Sequence, residues 1–90
     1  MSSEQETRAA KRQRMRKELV EKFEARRLAL GISQRKLSQE ADVGEDYYAR
    51  WVSEKFQFPG SYQLIALEEA LDRLEQVHRF HKKLKTEGAT

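Results

Sequence analysis

The stretch 33–53 constrains the fold most, because its pattern predicts two short helices separated by a tight corner. Ser33 is a residue type that favours the N-cap of a helix, and Leu37 and Ala41 follow it at helical spacing. We therefore expect a first short helix that begins after Ser33 and ends near Ala41.

The corner and the second short helix follow directly in the sequence. Asp42 tolerates the left-handed backbone that such a corner needs, Val43 can pack into the core, and Gly44 can act as the next N-cap. Tyr48 and Trp51 are three residues apart, so both can face the interior. Two helices joined by a turn of three or four residues form a helix-turn-helix unit.

The other side chains of the second short helix are expected to point outward or to its flank. The two acidic residues at its start are placed in the first turn, where the helix dipole favours negative charge. The outward and flanking residues are Glu45, Asp46, Tyr47, Ala49 and Arg50.

Capping, turn and apolar residues continue this pattern from about residue 19 to residue 74. They are Gly31, Ile32, Ser33, Gln34, Leu37, Ala41, Val43, Tyr48, Trp51, Pro59, Leu64, Ile65, Leu67, Ala70 and Leu71. In this order they resemble the phage-repressor-like (Cro/repressor, XRE-type) helix-turn-helix DNA-binding family. The resemblance implies an all-α fold, a compact lambda-repressor-like domain of four to five helices. The sequence differs from the residues common in that family at Asp42, which is often Gly, and at Val52, which is often Glu.

The resemblance also implies a function. It suggests a transcriptional regulator, a repressor or autoregulator of phage or plasmid type, that inserts the helix 45–53 into the major groove of an operator. Arg50 can grip guanine O6 and N7 with its guanidinium. Glu45 or Asp46 can accept from cytosine N4, or can serve only as capping charges. Tyr47 or Ala49 can meet a thymine methyl group.

Basic and polar residues on either side of that helix predict contacts to the DNA backbone. Through residue 17 the chain carries six basic and two acidic residues, which concentrates positive charge near the N-terminus. By the resemblance, Gln34 touches the DNA backbone; the alternative is a solvated polar face. Lys55 is either a phosphate contact or an ordinary surface lysine. The full predicted set is Gln34, Arg35, Lys36, Lys55, Arg12, Arg14, Arg16 and Lys17.

A long first helix is expected to precede this unit. No Gly or Pro interrupts the chain between Arg8 and Gly31, and Leu19 and Phe23 lie on one apolar stripe. Gly31 is expected to end the helix as a C-cap residue. Arg27 near that end suits the helix dipole and can also form a salt bridge within the domain.

After a loop that contains Pro59, Ser61 is expected to cap a last helix that runs to about residue 85. Phe56 and Phe58 are expected to pin the loop to the core. The first half of the last helix is expected to close the core through Leu64, Ile65, Leu67, Ala70 and Leu71.

The second half of the last helix projects from a small domain and carries an apolar stripe that it cannot cover alone. Its residues are Leu74, Val77, Phe80, His81 and Leu84. We therefore expect a homodimer, bound to an inverted-repeat operator on double-stranded DNA. The alternative is that this segment folds back on the first helix within one chain.

Composition excludes several other classes of protein. Ninety residues without cysteine suit one small domain with neither disulfides nor thiolate metal sites. The sequence lacks paired catalytic carboxylates, Ser/His or Cys/His pairs and glycine-rich phosphate loops, so we expect no enzyme, cofactor or small-molecule substrate. His78 and His81 lack a further ligand at metal spacing, so no metal site is expected. No apolar run suits a signal peptide or a membrane span, which predicts a cytoplasmic protein of a bacterial cytosol, a nucleoid or a phage-infected cell.

The domain organisation follows from these elements. We expect a basic N-terminal arm or helix start at 1–17, a DNA-binding helix-turn-helix domain at 18–74, and an extension of the last helix with a frayed tail at 75–90. The competing hypothesis is a protein interaction module, of adaptor or antitoxin-like type, that uses the helix-turn-helix surface or the last helix. Glu45 and Asp46 favour it, because carboxylates near phosphates are repelled.

Overall fold

The structure, a computed structural model, describes residues 7–88 and the side chains of residues 7–84. Over that range it contains four helices and no strand: α1 Arg8–Leu30, α2 Gln34–Ala41, α3 Tyr47–Val52 and α4 Ser61–Gly88. The all-α prediction is therefore confirmed. None of the helices between residues 7 and 88 combines the length and the apolar character needed to cross a bilayer. The expectations for the start of the arm, 1–6, and for the end of the tail, 89–90, lie outside the described residues.

The first helix is uninterrupted over 23 residues, as the lack of Gly and Pro predicted. Thr7 caps its start, because its hydroxyl accepts from the N–H of Ala10 at 3.0 Å. Gly31 ends it in the left-handed conformation, with φ at 70°, and donates its N–H to the carbonyl of Leu28. The basic N-terminal segment is thus helical from its first described turn.

The second helix begins and ends where the sequence predicted. The hydroxyl of Ser33 accepts from the N–H of Lys36 at 2.9 Å, which satisfies one of the donors at the helix start. Asp42 ends the helix in the left-handed conformation with φ at 57°. Val43 follows it and packs, partly buried, against the core.

The third helix begins later than the sequence predicted. Gly44 has φ at 104°, so it turns the corner and does not serve as an N-cap, which needs extended backbone. Glu45 and Asp46 form a further turn, closed by the N–H of Tyr47 donating to the carbonyl of Gly44 at 3.2 Å. The predictions of an N-cap at Gly44 and of two acids inside the first helical turn are therefore wrong. The helix spans six residues, fewer than the predicted range 45–53.

All four helices contribute to one core. Its buried members are Phe23, Leu37, Ala41, Tyr48, Trp51, Leu67, Ala70 and Leu71. The Phe23 ring meets the Trp51 ring edge to face, with 5.4 Å between centroids. Leu64 packs partly buried at the margin, whereas Ile65 is 55% exposed, so its predicted place in the core is wrong. Ile65 follows Leu64 by 100° around the helix, which turns its side chain to the solvent.

The loop 53–60 packs against the core through some of its apolar residues. Pro59 is buried, and Phe56 lies half-buried with its ring 5.0 Å from that of Tyr47. Phe58 is 38% exposed and lies beside Met15 and Leu19 of α1. The prediction that both phenylalanines pin the loop is thus confirmed for Phe56, while Phe58 only covers the surface of α1.

The fourth helix continues without a break past the end of α1. Arg26 of α1 forms ion pairs with Asp72 and Glu75, each at 2.7 Å, which fixes the two helices to each other there. Beyond this contact, Val77, Phe80 and Leu84 are 51%, 60% and 49% exposed. The alternative in which this segment folds back on α1 and covers the stripe is therefore wrong.

Candidate functional site

The third helix is held on its inner side by two aromatic residues. Tyr48 and Trp51 are both fully buried. The Trp51 indole N–H donates to the carbonyl of Gln57 at 2.9 Å, and the backbone N–H of Tyr48 donates to the hydroxyl of Ser38 at 3.0 Å. Because these bonds come from the loop after α3 and from α2, they fix both the position and the rotation of the helix.

A single carboxylate on α1 links the first three helices. Glu24 accepts from Arg27 at 2.6 Å, from the Tyr48 hydroxyl at 2.8 Å and from the Gln34 amide at 3.3 Å. The bond from Arg27 lowers the pKa of the Glu24 carboxyl below its ordinary value, and burial raises the pKa of the Tyr48 hydroxyl. The salt bridge expected of Arg27 is confirmed. Gln34 is half-buried, and its side-chain amide donates to Glu24. The sequence did not predict this structural role, and the phosphate contact of Gln34 stays a prediction.

The structure corrects the prediction for Arg16, which was placed among the phosphate contacts. Its side chain is buried, and its guanidinium donates to the backbone carbonyls of Trp51 and Val52. It also pairs with Glu54 at 3.6 Å. The physical reason is that the last carbonyls of a helix have no partner within the helix and attract a cation.

The sequence did contain a signal for this role of Arg16. Arg16 lies seven residues before Phe23, which is two helical turns, so both residues occupy the buried face of α1. An arginine on an apolar stripe needs a polar partner in the interior. Its partner, however, lies 35 residues away, and no local pattern identifies it.

The outer side of α3 presents one cation to the solvent. Arg50 is exposed and lies in the last turn of the helix. Ala49 and Tyr47 are half-buried, and the Tyr47 hydroxyl accepts from the N–H of Gly60 at 3.3 Å. Tyr47 therefore supports the following loop, so of the predicted base-contacting residues on the helix itself, Arg50 is the one that projects fully.

Glu45, in the turn before α3, is paired with α2. Its carboxylate lies 2.7 Å from the Arg35 guanidinium and accepts from the Gln39 amide at 3.5 Å. Lys36, next to Arg35, pairs with Glu40 at 2.9 Å. These pairs offset the charges of Glu45 and Glu40 and, to the same extent, those of Arg35 and Lys36.

Further cations lie near the C-terminal end of α3. The N–H of Lys55 donates to the carbonyl of Arg50 at 2.8 Å, which places the start of the exposed loop beside that helix end. Arg12 is exposed and lies one turn before Arg16 on α1, on the same face of that helix. Lys17 and Arg14 are exposed on other faces of α1, and Arg14 pairs with Glu18 at 3.6 Å.

We call the surface formed by Arg35, Lys36, Asp46, Arg50 and Lys55 the α3 face. All five residues are exposed, and together they cover both ends of α3. Comparison with protein-family models, with curated proteins and with solved structures gives no match to this chain. The α3 face therefore carries four cations and one carboxylate around a short helix that is anchored on its inner side.

Proposed function

We propose that the protein is a sequence-specific DNA-binding transcriptional regulator, in which α2 and α3 form a lambda-repressor-like helix-turn-helix unit. The observation that carries this proposal is the asymmetry of α3: Tyr48 and Trp51 are fully buried, while Arg50 projects from the outer side. A helix fixed on one side and exposed on the other is what insertion into a major groove requires.

Arg50 is the residue to which we assign base recognition. A guanidinium can donate two hydrogen bonds to guanine O6 and N7, which discriminates against another base by about 1–3 kcal/mol. Because the buried rings of the same helix set its rotation, Arg50 reaches a groove with a defined orientation. Asp46 is exposed at the other end of α3, where it could accept from cytosine N4.

Attraction to the phosphates comes from cations around the α3 face. Lys55 follows the C-terminal end of α3, and Arg12 is exposed on α1 on the face that carries Arg16. Lys36 is exposed on α2, and Lys17 is exposed on another face of α1. Glu45 would repel phosphates, but its pairing with Arg35 reduces that cost. The resulting nonspecific affinity falls steeply as salt concentration rises.

The test is selection of bound sequences from random duplex DNA at low salt, with the full chain and with Arg50→Ala. We expect the wild-type chain to enrich one motif and Arg50→Ala to lose that enrichment. Lys22→Ala is the matched control, because it removes the same charge from an exposed site on a different helix, α1. It should enrich the same motif as the wild type.

Failure of the wild-type chain to enrich any motif would overturn the proposal.

The second candidate is a protein interaction module, which one observation favours: acidic residues outnumber basic ones five to four between residues 33 and 60. Such a module would bind a basic protein surface, and Arg50→Ala would leave that binding largely intact.

A further inference from the structure

The projecting half of α4 carries an apolar stripe that α1, α2 and α3 do not cover. Val77, Phe80 and Leu84, which we call the C-terminal stripe, are each about half exposed or more. They recur at spacings of three and four residues, so they lie on one side of the helix. Leu74 continues the stripe toward the core and is partly buried.

The helix that presents this stripe has little support from the rest of the chain. The last turn of α1 lies beside Glu75, His78 and Arg79, and α4 then runs on to Gly88. A helical segment of this length is marginal in water unless its apolar face packs against something. The stripe is therefore expected to be covered in solution.

The charge pattern of α4 identifies what can cover it. Residues 61–75 contain four acidic residues and one basic residue, whereas residues 76–88 contain four basic residues and one acidic residue. The two halves of the helix are thus complementary to each other in sign. Two parallel copies of α4 would set like charges side by side, and two antiparallel copies would set opposite charges side by side.

We propose that a second copy of this chain covers the C-terminal stripe, with the two α4 helices packed antiparallel about a centre between His78 and Arg79. This centre sets Val77 of each copy against Phe80 of the other. It also places residues 79–88 of one copy, which are basic, alongside residues 69–78 of the other, which include Glu69, Asp72 and Glu75. Such a pairing buries Val77 and Phe80 and sets Lys82 of one copy against Glu75 of the other, which also pairs with Arg26 of its own chain.

The arrangement has a consequence for DNA that depends on the proposed function. The core residues of α4, Leu67, Ala70 and Leu71, share one cluster with Tyr48 and Trp51. They are centred about nine residues from the proposed two-fold axis, which at 1.5 Å per residue is roughly 14 Å. The centres of the two cores would then be roughly 27 Å apart along α4, which is of the same order as the ~34 Å between half-sites one helical turn apart. An inverted repeat with that spacing is the expected target of the dimer.

The first test is the mass of the chain in solution without DNA, by light scattering or sedimentation equilibrium at tens of micromolar. We expect twice the 10.6 kDa of one chain. Phe80→Glu should weaken the dimer at least tenfold, while Ile65→Glu, at a similarly exposed position on another side of the same helix, should not. A monomeric wild-type chain, or equal effects of the two variants, would overturn the proposal.

The second test measures the orientation of the two helices. The chain has no cysteine, so Glu68→Cys introduces a single site for a spin label at an exposed position away from the stripe. The antiparallel pairing predicts about 30 Å between the two labelled backbones, and a parallel pairing predicts about 10 Å. The short distance would refute the pairing. Because neither test contains DNA, both outcomes are independent of whether the α3 face binds an operator.

Discussion

Glu24 links α3 to α1 and α2, since its carboxylate accepts from Arg27, Gln34 and the Tyr48 hydroxyl. None of these partners is adjacent to it in sequence, and they come from three helices. A charged acceptor with three donors is worth more than a neutral pair, because each bond is charge-assisted. The orientation of α3 therefore depends in part on a partly buried carboxylate of α1.

The Glu24 network predicts a pH-dependent stability difference between the wild type and Glu24→Gln. The pKa of Glu24 is lowered in the folded state from 4.5, so its ionised form stabilises the fold above pH 4.5, and this contribution is lost as pH falls through the folded pKa. We expect Glu24→Gln to be less stable by about 1–3 kcal/mol at pH 7. The difference should shrink at pH 3.

Urea unfolding at the two pH values measures this difference, and comparison with Glu21→Gln, an exposed glutamate of the same helix, controls for the change in net charge. A stability gap that stays constant from pH 7 to pH 3 would show that the carboxylate contributes nothing through its charge.

At the scale of the elements, α1 and α3 are coupled through Arg16. A helix of six residues has few carbonyls that are bonded within it, and Arg16 donates to those of Trp51 and Val52. The same helix carries the basic segment that begins at Arg8. Arg16 thereby sets where the cations of that segment lie relative to α3.

Replacement of Arg16 by Met should destabilise the fold by about 1.5–3 kcal/mol, because it leaves carbonyls at the end of α3 without their charged donor. Arg12→Met is the matched control: it makes the same change one turn earlier on an exposed residue, and it should cost less than about 0.5 kcal/mol. Chemical denaturation of the wild type, Arg16→Met and Arg12→Met measures these differences in the free energy of unfolding. Equal stability of the two variants would contradict the coupling.

The elements also show which parts of the fold the sequence could predict. Ser33, Gly31 and Asp42 act through backbone groups within five residues, so the ends of α1 and α2 follow from local pattern. The start of α3 does not follow from local pattern. The conformation of Gly44 and of the turn after it depends on how α3 packs into the core. Arg16 was misplaced for a similar reason, since its partners are distant in sequence.

Within the candidate site, the exposure of Arg50 and the burial of Tyr48 and Trp51 follow from helical spacing. The ion pair between Arg35 and Glu45 does not, because it joins two elements across a corner whose path the pattern did not give. The roles of these residues toward DNA stay predictions.

At the scale of the whole molecule, the long α1 and α4 make the chain elongated, with extents of 59, 32 and 19 Å. The basic segment of α1 lies beyond the core on the side where Arg16 meets the end of α3. The stripe of α4 lies beyond the end of α1. The proposed phosphate contacts of α1 and the proposed self-association of α4 therefore involve separate parts of the molecule.

This separation predicts the salt dependence of DNA binding. If Arg12 and Lys17 each contact a phosphate, replacing either one by Ala should lower the slope of log affinity against log salt concentration by about 0.9. Lys22→Ala, on the same helix, should leave the slope unchanged. Fluorescence anisotropy on a fixed duplex between 50 and 300 mM salt gives the slopes. Unchanged slopes for both Arg12→Ala and Lys17→Ala would show that these residues of α1 do not contact phosphates.

The most direct test of the central claim is the ratio of affinities for the selected duplex and for a scrambled duplex, measured for the wild type and for Arg50→Ala at one salt concentration. The account predicts that this ratio falls by about 5- to 150-fold in Arg50→Ala, which corresponds to 1–3 kcal/mol, while affinity for the scrambled duplex changes little. An unchanged ratio would show that Arg50 reads no base, and the assignment of α3 as the DNA-reading helix would be wrong.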